Sequence, residues 1–220
     1  PDGDFGPGTE LQVVEFQRRY MKMTEPSGVA DRGTLFAIQE FGDRFPIDFG
    51  ALECPCKICG GFGQGRSKGE YQPGKPAVEA YHLYEYPGVH RMLLWAVRAA
   101  MFCMPEYKFV ITSGYRCQEQ NKIKGRSSTN HHGKAIDLDV PGQPGEDHRD
   151  DMLRCNSIRG KLVELASAQI GWSAANRKAL EPPDIAPTWV HYDVRCYEPK
   201  YLEDRFFCRT LAELDAPRIV

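Results

Sequence analysis

Three short segments of this 220-residue chain concentrate side chains able to do chemistry. The first is Ser113-Gly114-Tyr115-Arg116. The second runs Ser128-Thr129-Asn130-His131-His132-Gly133-Lys134-Ala135-Ile136-Asp137, and the third is Trp189-Val190-His191-Tyr192-Asp193. Two imidazoles and one carboxylate meet the needs of a hydrolytic zinc, which takes about three protein ligands and keeps one position open. Asp137 sits in an apolar run, where an ionised carboxylate is costly unless paired or metal-bound. His191 lies in a similar run, so it projects from a rigid element.

The elements that must hold these groups are legible from periodicity. Tyr107 to Thr112 reads as a strand directly before Ser113. Ala135 to Val140 alternates with period two and reads as a second, and Trp189 to Val194 as a third. Pro87 to Met104 is the clearest helix, with Pro87 at its first turn and Val89, Leu93, Leu94, Val97, Ala100 and Met101 as its apolar stripe. Asp150 to Ile170 reads as another helix. Strands separated by helices and long loops, without a regular βαβ rhythm, predict an α+β fold.

Taken together the three segments resemble the zinc D-Ala-D-Ala peptidase family (M15-type), with its VanX-like, VanY-like and phage-endolysin members. The matching pieces are Ser113 to Arg116 followed by Asn121, then Gly133-Lys134-Ala135-Ile136-Asp137, then Val190-His191-Tyr192-Asp193; Glu40-Phe41 and Cys54-Pro55-Cys56 look like the lead-in of one branch. The resemblance covers about residue 45 to the C-terminus. It implies a small antiparallel sheet with flanking helices, of the hedgehog/DD-peptidase-like kind, and a Zn²⁺ held by His131, Asp137 and His191.

Two departures leave alternatives open. The family's first histidine ligand lies seven residues before its aspartate, a place held here by Asn130. A loop one residue shorter makes His131 the ligand, with His132 as runner-up; an ungapped reading puts Asn130 there and the metal is lost. The family's acid or base lies three residues before the last histidine, and here that residue is Thr188, which cannot serve as a base at neutral pH. Asp193, on the same strand face as His191, is the first candidate in its stead, with Asp184 as another and a role in orienting His191 as the competing reading of Asp193. Arg116 resembles the family arginine that stabilises the developing oxyanion, its plainer reading being a buried ion pair.

Residues 1 to 42 form a block of glycine-rich loop, threonine cap and helix, repeated, with Thr9 and Thr34 as the caps. It resembles the small helical peptidoglycan-binding domain found beside many cell-wall hydrolases, through Asp2-Gly3, Phe5-Gly6-Pro7, Thr9, Val14, Phe16-Gln17, Gly28-Val29, Asp31 and Thr34. That domain has a further helix before the Asp-Gly loop, so this block reads as partial. Leu11, Val14, Phe16, Leu35 and Ile38 are then expected either to be covered by the catalytic domain, residues 43–220, or to stand partly exposed.

Composition narrows the remaining classes. Lys+Arg 28 against Asp+Glu 30 gives a net charge of −2, so no general field favours nucleic acid. No apolar run is long enough to span a membrane. The glycines of Gly60 to Gly65 follow no strand pattern and make no dinucleotide fingerprint. Of eight cysteines, Cys54, Cys56 and Cys59 could join a fourth in a structural zinc site or enter disulfides. Disulfides are the expectation, since cell-wall work happens outside the cytoplasm. His90 is read as packing or surface, and His82 and His148 as solvated.

The expected function is a zinc-dependent peptidoglycan peptidase, endolysin-like, cutting an amide of the stem or cross-link peptide as a D-Ala-D-Ala carboxypeptidase or endopeptidase. It would be a monomer working at the extracellular or periplasmic cell wall. The alternatives are a wall-binding protein on a peptidase fold that has lost its metal, and a hedgehog-type signalling domain, against which the wall-binding motif argues.

Overall fold

The computed structural model describes residues 5–65, 84–126, 128, 130–142, 145–171 and 178–216. The Asp2-Gly3-Asp4 loop, Thr129, His82 and much of the turn-rich stretch before it lie outside them. The described chain falls into two compact units, one made of the residues up to Pro46 together with those from Asp215, and the other Ile47–Leu214.

The first unit contains helices α1 (Pro7–Arg19) and α2 (Arg32–Arg44). Neither expected threonine cap is one. Helix α1 starts at Pro7 after Gly6, with no side-chain cap. Asp31 caps α2, accepting the Thr34 N–H at 2.7 Å. Thr34 is instead buried against Gln17. The Gln17 amide donates to the Val29 carbonyl at 3.0 Å and the Thr34 hydroxyl at 2.9 Å, and accepts from the Gly28 N–H at 2.9 Å. A buried amide satisfied on both ends ties the 28–34 loop to α1. Gly28 has φ +73, and a Cβ there would strike the Glu10 side chain. Phe16, Tyr20, Phe41 and Phe45 stack in a small aromatic cluster, with centroids 4.9 to 5.8 Å apart. Leu11, Leu35 and Ile38 are exposed, and Val14 and Phe16 half-buried.

The second unit is α+β. In chain order it contains α3 (Phe49–Leu52), β1 (Val89–His90), α4 (Arg91–Cys103), β2 (Val110–Ser113), α5 (Gln118–Ile123), β3 (Ala135–Asp139), α6 (His148–Ala166), β4 (Gln169–Ile170), β5 (Ala179–Leu180), β6 (Val190–Asp193), β7 (Phe207–Cys208) and α7 (Leu211–Leu214). The main sheet has the order β2-β3-β6-β5-β4, and β1 pairs with β7 apart from it. All ladders are antiparallel except β4–β5, a two-pair parallel contact that makes one edge mixed. Alternation of side chains carries no information on the direction of so short a strand.

Helix α4 begins later than Pro87 because Val89 and His90 pair with β7 and His90 becomes the cap, its Nδ1 accepting from the Met92 N–H. The expected stripe of α4 is buried from Leu93 to Ala100. Helix α6 starts at an Asp147–Asp150 capping box and ends where Ser167 turns left-handed at φ 52, so Ile170 belongs to a strand. Leu93, Leu94, Val97, Ile136, Leu138, Ile158, Leu162, Val190 and Tyr192 form the core between the helices and the sheet.

Candidate metal centre

The centre of the sheet sets the site. In the β3–β6 ladder Asp137 lies opposite His191, and Ala135 opposite Asp193. Period-two geometry puts Asp137, His191 and Asp193 on one face. On the other side of β3, Ser113 ends β2 opposite Asp137, after an irregularity that separates it from Ile111. The chain then passes through Gly114, where a Cβ would collide with the backbone of Leu52. Only a glycine lets the strand end pack so closely against α3.

That close packing matters for His131. Its Nδ1 bonds the Gly114 carbonyl at 2.7 Å, so Nδ1 carries the proton and Nε2 is left to face Asp137 Oδ2 at 3.5 Å. The His131 carbonyl in turn accepts from the Arg116 N–H at 2.8 Å. His191 is arranged in the opposite sense. Its Nε2 meets Asp193 Oδ2 at 3.1 Å and its Nδ1 meets Asp137 Oδ1 at 2.7 Å. Each ring has one nitrogen fixed by a neighbour and the other turned to the same carboxylate, the arrangement that orients metal-binding imidazoles.

One donor atom from each of His131, Asp137 and His191 lies within 4.8 Å of the others. The trio is mostly buried yet borders an open cleft of about 770 Å³, so a fourth position faces solvent. Burial alone would raise the Asp137 carboxyl, but the two imidazoles hold it well below the usual carboxylate range. Burial likewise disfavours charge on His191, and the Asp137 and Asp193 carboxylates outweigh it, raising the imidazole to about 9. The pocket is built to hold positive charge between its carboxylates, and its donor set fits zinc.

The neighbouring residues are drawn away from this point. Asn130, with its amide oriented for its partners, accepts from both Arg195 guanidinium nitrogens, at 2.7 and 3.0 Å, and from the Ser128 hydroxyl at 3.1 Å. His132 is buried against Asn121, Nε2 to Nδ2 at 3.3 Å. So the structure brings His131, rather than His132 or Asn130, to Asp137 and His191.

Asp193 is wholly buried behind His191. Its carboxylate is taken up by His191, by the Arg195 N–H at 3.0 Å, by Arg195 Nε at 2.7 Å and by a further bond from Arg195 Nη2. It does not line the cleft, and Asp184 is exposed and does not line it either. Arg116 does line it. Its Nε is buried with no hydrogen-bond partner among the described residues, and its charge is desolvated while drawn toward Asp137. Arg126 and Arg195 line the same cleft.

Besides Arg126 and Arg195, Glu181 and Arg159 were missed by sequence reasoning. Glu181 lines the cleft on the loop after β5, its N–H donating to the His191 carbonyl at 3.1 Å. Arg159, wholly buried on α6, donates to the backbone carbonyls of Glu181 at 3.2 Å, Trp189 at 2.7 Å and Ala186. One guanidinium thus fixes the loop that carries Glu181, Thr188 and Trp189 to the rim. The charge of Arg159 inside the apolar stripe of α6 was the signal available, since a buried arginine must find several acceptors.

The cysteine expectation is corrected. None of the eight cysteines, all of them described, is in a disulfide. Cys117 Sγ and Cys56 Sγ stand 3.5 Å apart, against about 2.05 Å for a bond. His148 is exposed and His90 buried.

Residues 89–169 match the family model for Peptidase M15. The match runs from β1 to β4 and contains Arg116, His131 and Asp137; His191 lies beyond it. Among curated proteins and among solved structures, no match was found.

Proposed function

We propose that the chain is an M15-type peptidase, the family whose model residues 89–169 match, and a zinc-dependent hydrolase of a peptide amide in peptidoglycan. The observation that carries the zinc is the convergence of His131 Nε2, His191 Nδ1 and the Asp137 carboxylate, with each other ring nitrogen already bonded. A zinc ion in that place supplies Lewis acidity, which acidifies water and polarises a carbonyl.

The chain's own residues do the rest. Arg116, with an unsatisfied Nε at the cleft wall, stabilises the oxygen that becomes anionic as the amide carbonyl is attacked. Glu181, on the cleft-wall loop that Arg159 holds, takes the proton of the attacking water and passes it to the leaving amine. Asp193, spent on His191 and Arg195, positions His191 and does not exchange protons with substrate. Arg126 adds positive charge along the cleft beside Arg116, which suits the carboxylate-rich stem peptides of peptidoglycan.

Residues 1–42 are proposed as a wall-binding unit that tethers the enzyme and raises local substrate concentration. Gln17, Gly28, Val29 and Thr34, which carry that resemblance, are the residues that lock its loop. The place of action is then the cell wall outside the cytoplasm. Digestion of purified sacculi, followed by mass spectrometry of the muropeptides, tests this reading. New amine and carboxyl ends within the stem or cross-link peptide support it. Intact peptides, or cleavage confined to the glycan, overturn it.

A further inference from the structure

We propose that Cys54, Cys56, Cys59 and Cys117 hold a second metal ion, a structural zinc that staples the loop before β1 to the start of α5. The four sulfurs all lie within 4.8 Å of one another, with Cys56 and Cys117 3.5 Å apart. Four thiolates at about 2.3 Å around one zinc stand roughly 3.8 Å from each other, so the cluster has the size of a tetrahedral site. Three of the four are buried, and no histidine or carboxylate belongs to the group. A metal held there would have four protein ligands and no open position, which is the structural rather than the hydrolytic kind.

The backbone around the sulfurs is arranged as acceptor chemistry requires. Cys56 Sγ accepts from the Ile58 N–H at 3.3 Å and the Cys59 N–H at 3.4 Å. Cys54 Sγ accepts from the Cys117 N–H at 3.4 Å, and Cys117 Sγ from the Gln120 N–H at 3.5 Å. Amide donors aimed at sulfur favour thiolate, the form that binds metal. The loop is closed by the Cys54 N–H to the Gly61 carbonyl at 2.7 Å. Left-handed turns at Lys57 (φ 59), Gly60 (φ 65) and Gly61 (φ 99) lie within it. A non-glycine residue in that conformation is strained, and a metal holding the cysteines on either side of Lys57 would compensate.

The position gives the staple a purpose. Cys117 is the residue after Arg116 and the cap of α5. Pro55 and Glu53 line a second cavity, of about 420 Å³, that shares Thr112, Ser113, Arg116 and Arg126 with the catalytic cleft. The cluster therefore fixes one wall of the cleft and the backbone of its central arginine. Binding converts the four thiols to thiolates and releases their protons, with no oxidant or reductant involved.

The test is metal content and cobalt spectroscopy of the purified full chain. About two zinc ions per chain are expected for the wild type and about one for both Cys59→Ser and Asp137→Ala. Cobalt-substituted Asp137→Ala should keep an intense sulfur-to-cobalt charge-transfer band in the near ultraviolet, and Cys59→Ser should lose it. If Cys59→Ser does not fold, the spectra of wild type and Asp137→Ala decide alone. The proposal is overturned if the charge-transfer band is absent from both, or if the native mass shows these cysteines oxidised in pairs. Because Asp137→Ala removes only the other site, failure here leaves the catalytic reading standing, and the reverse.

Discussion

Asp137 and His191 face each other across the β3–β6 ladder, with Asp137 Oδ1 2.7 Å from His191 Nδ1. Removing either leaves two protein donors where three converge. Asp137→Ala and His191→Ala should each lose the metal of this site and peptidase activity while keeping the cysteine-bound metal. Metal analysis beside a circular-dichroism spectrum checks this; a variant with full activity would show the site to be elsewhere.

His131 and Asn130 are neighbours with different fates. His131 meets Asp137, and Asn130 is held by Arg195 and Ser128. His131→Ala should therefore abolish activity, and Asn130→Ala should lower it far less. Comparable losses, or the reverse order, would contradict the assignment of the ligand.

Glu181 and Asp193 should separate by kinetics. Glu181→Gln should cut kcat by about 10²–10⁴ with zinc content unchanged, as expected for a lost acid/base group. Asp193→Asn should weaken metal binding by about 10–100-fold, as for a lost partner of a ligating imidazole. Zinc titration and kcat measured under saturating zinc tell these apart. Loss of kcat under saturating zinc in Asp193→Asn, with Glu181→Gln unaffected, would return the acid/base role to Asp193.

Much of this site was legible because it lies on strands. Asp137, His191 and Asp193 announce themselves as charged or imidazole groups in alternating apolar runs, and alternation fixes their common face. Loop length alone favours His131 over its neighbours; what holds it there, the Gly114 carbonyl, and what draws Asn130 away, Arg195, are partners distant in sequence and were not legible. Glu181 was hidden for the same reason: its loop is placed by Arg159 on α6. The cysteines show the limit of context. Expected location argued for disulfides, whereas the fold brings Cys117 to the other three at metal-binding rather than bonding distance. Helix starts were misplaced where a cap came from tertiary pairing, as at His90, or from a residue ahead of the apparent cap, as at Asp31.

His90 makes a further prediction. Its Nε2 donates to the Tyr201 carbonyl at 2.9 Å and its Nδ1 accepts from the Met92 N–H, so the neutral ring is fully used. Burial lowers the imidazole from 6.5 to about 4. The unfolded chain then binds the proton first as pH falls, so the contribution is complete above about pH 6.5 and is lost toward pH 4. Over that window the loss amounts to roughly 3 kcal/mol. Chemical denaturation at both ends of the window should show a smaller acid loss in His90→Asn than in the wild type. Equal losses would mean that His90 is not held neutral.

Hydrolysis at the His131–Asp137–His191 centre is read from the release of new amines from purified sacculi. Measured before chelation, after chelation and after zinc is restored, the wild-type chain should lose and then recover the activity. Asp137→Ala should stay inactive throughout. Amine release that survives complete removal of metal, or that persists in Asp137→Ala, would place the hydrolysis elsewhere.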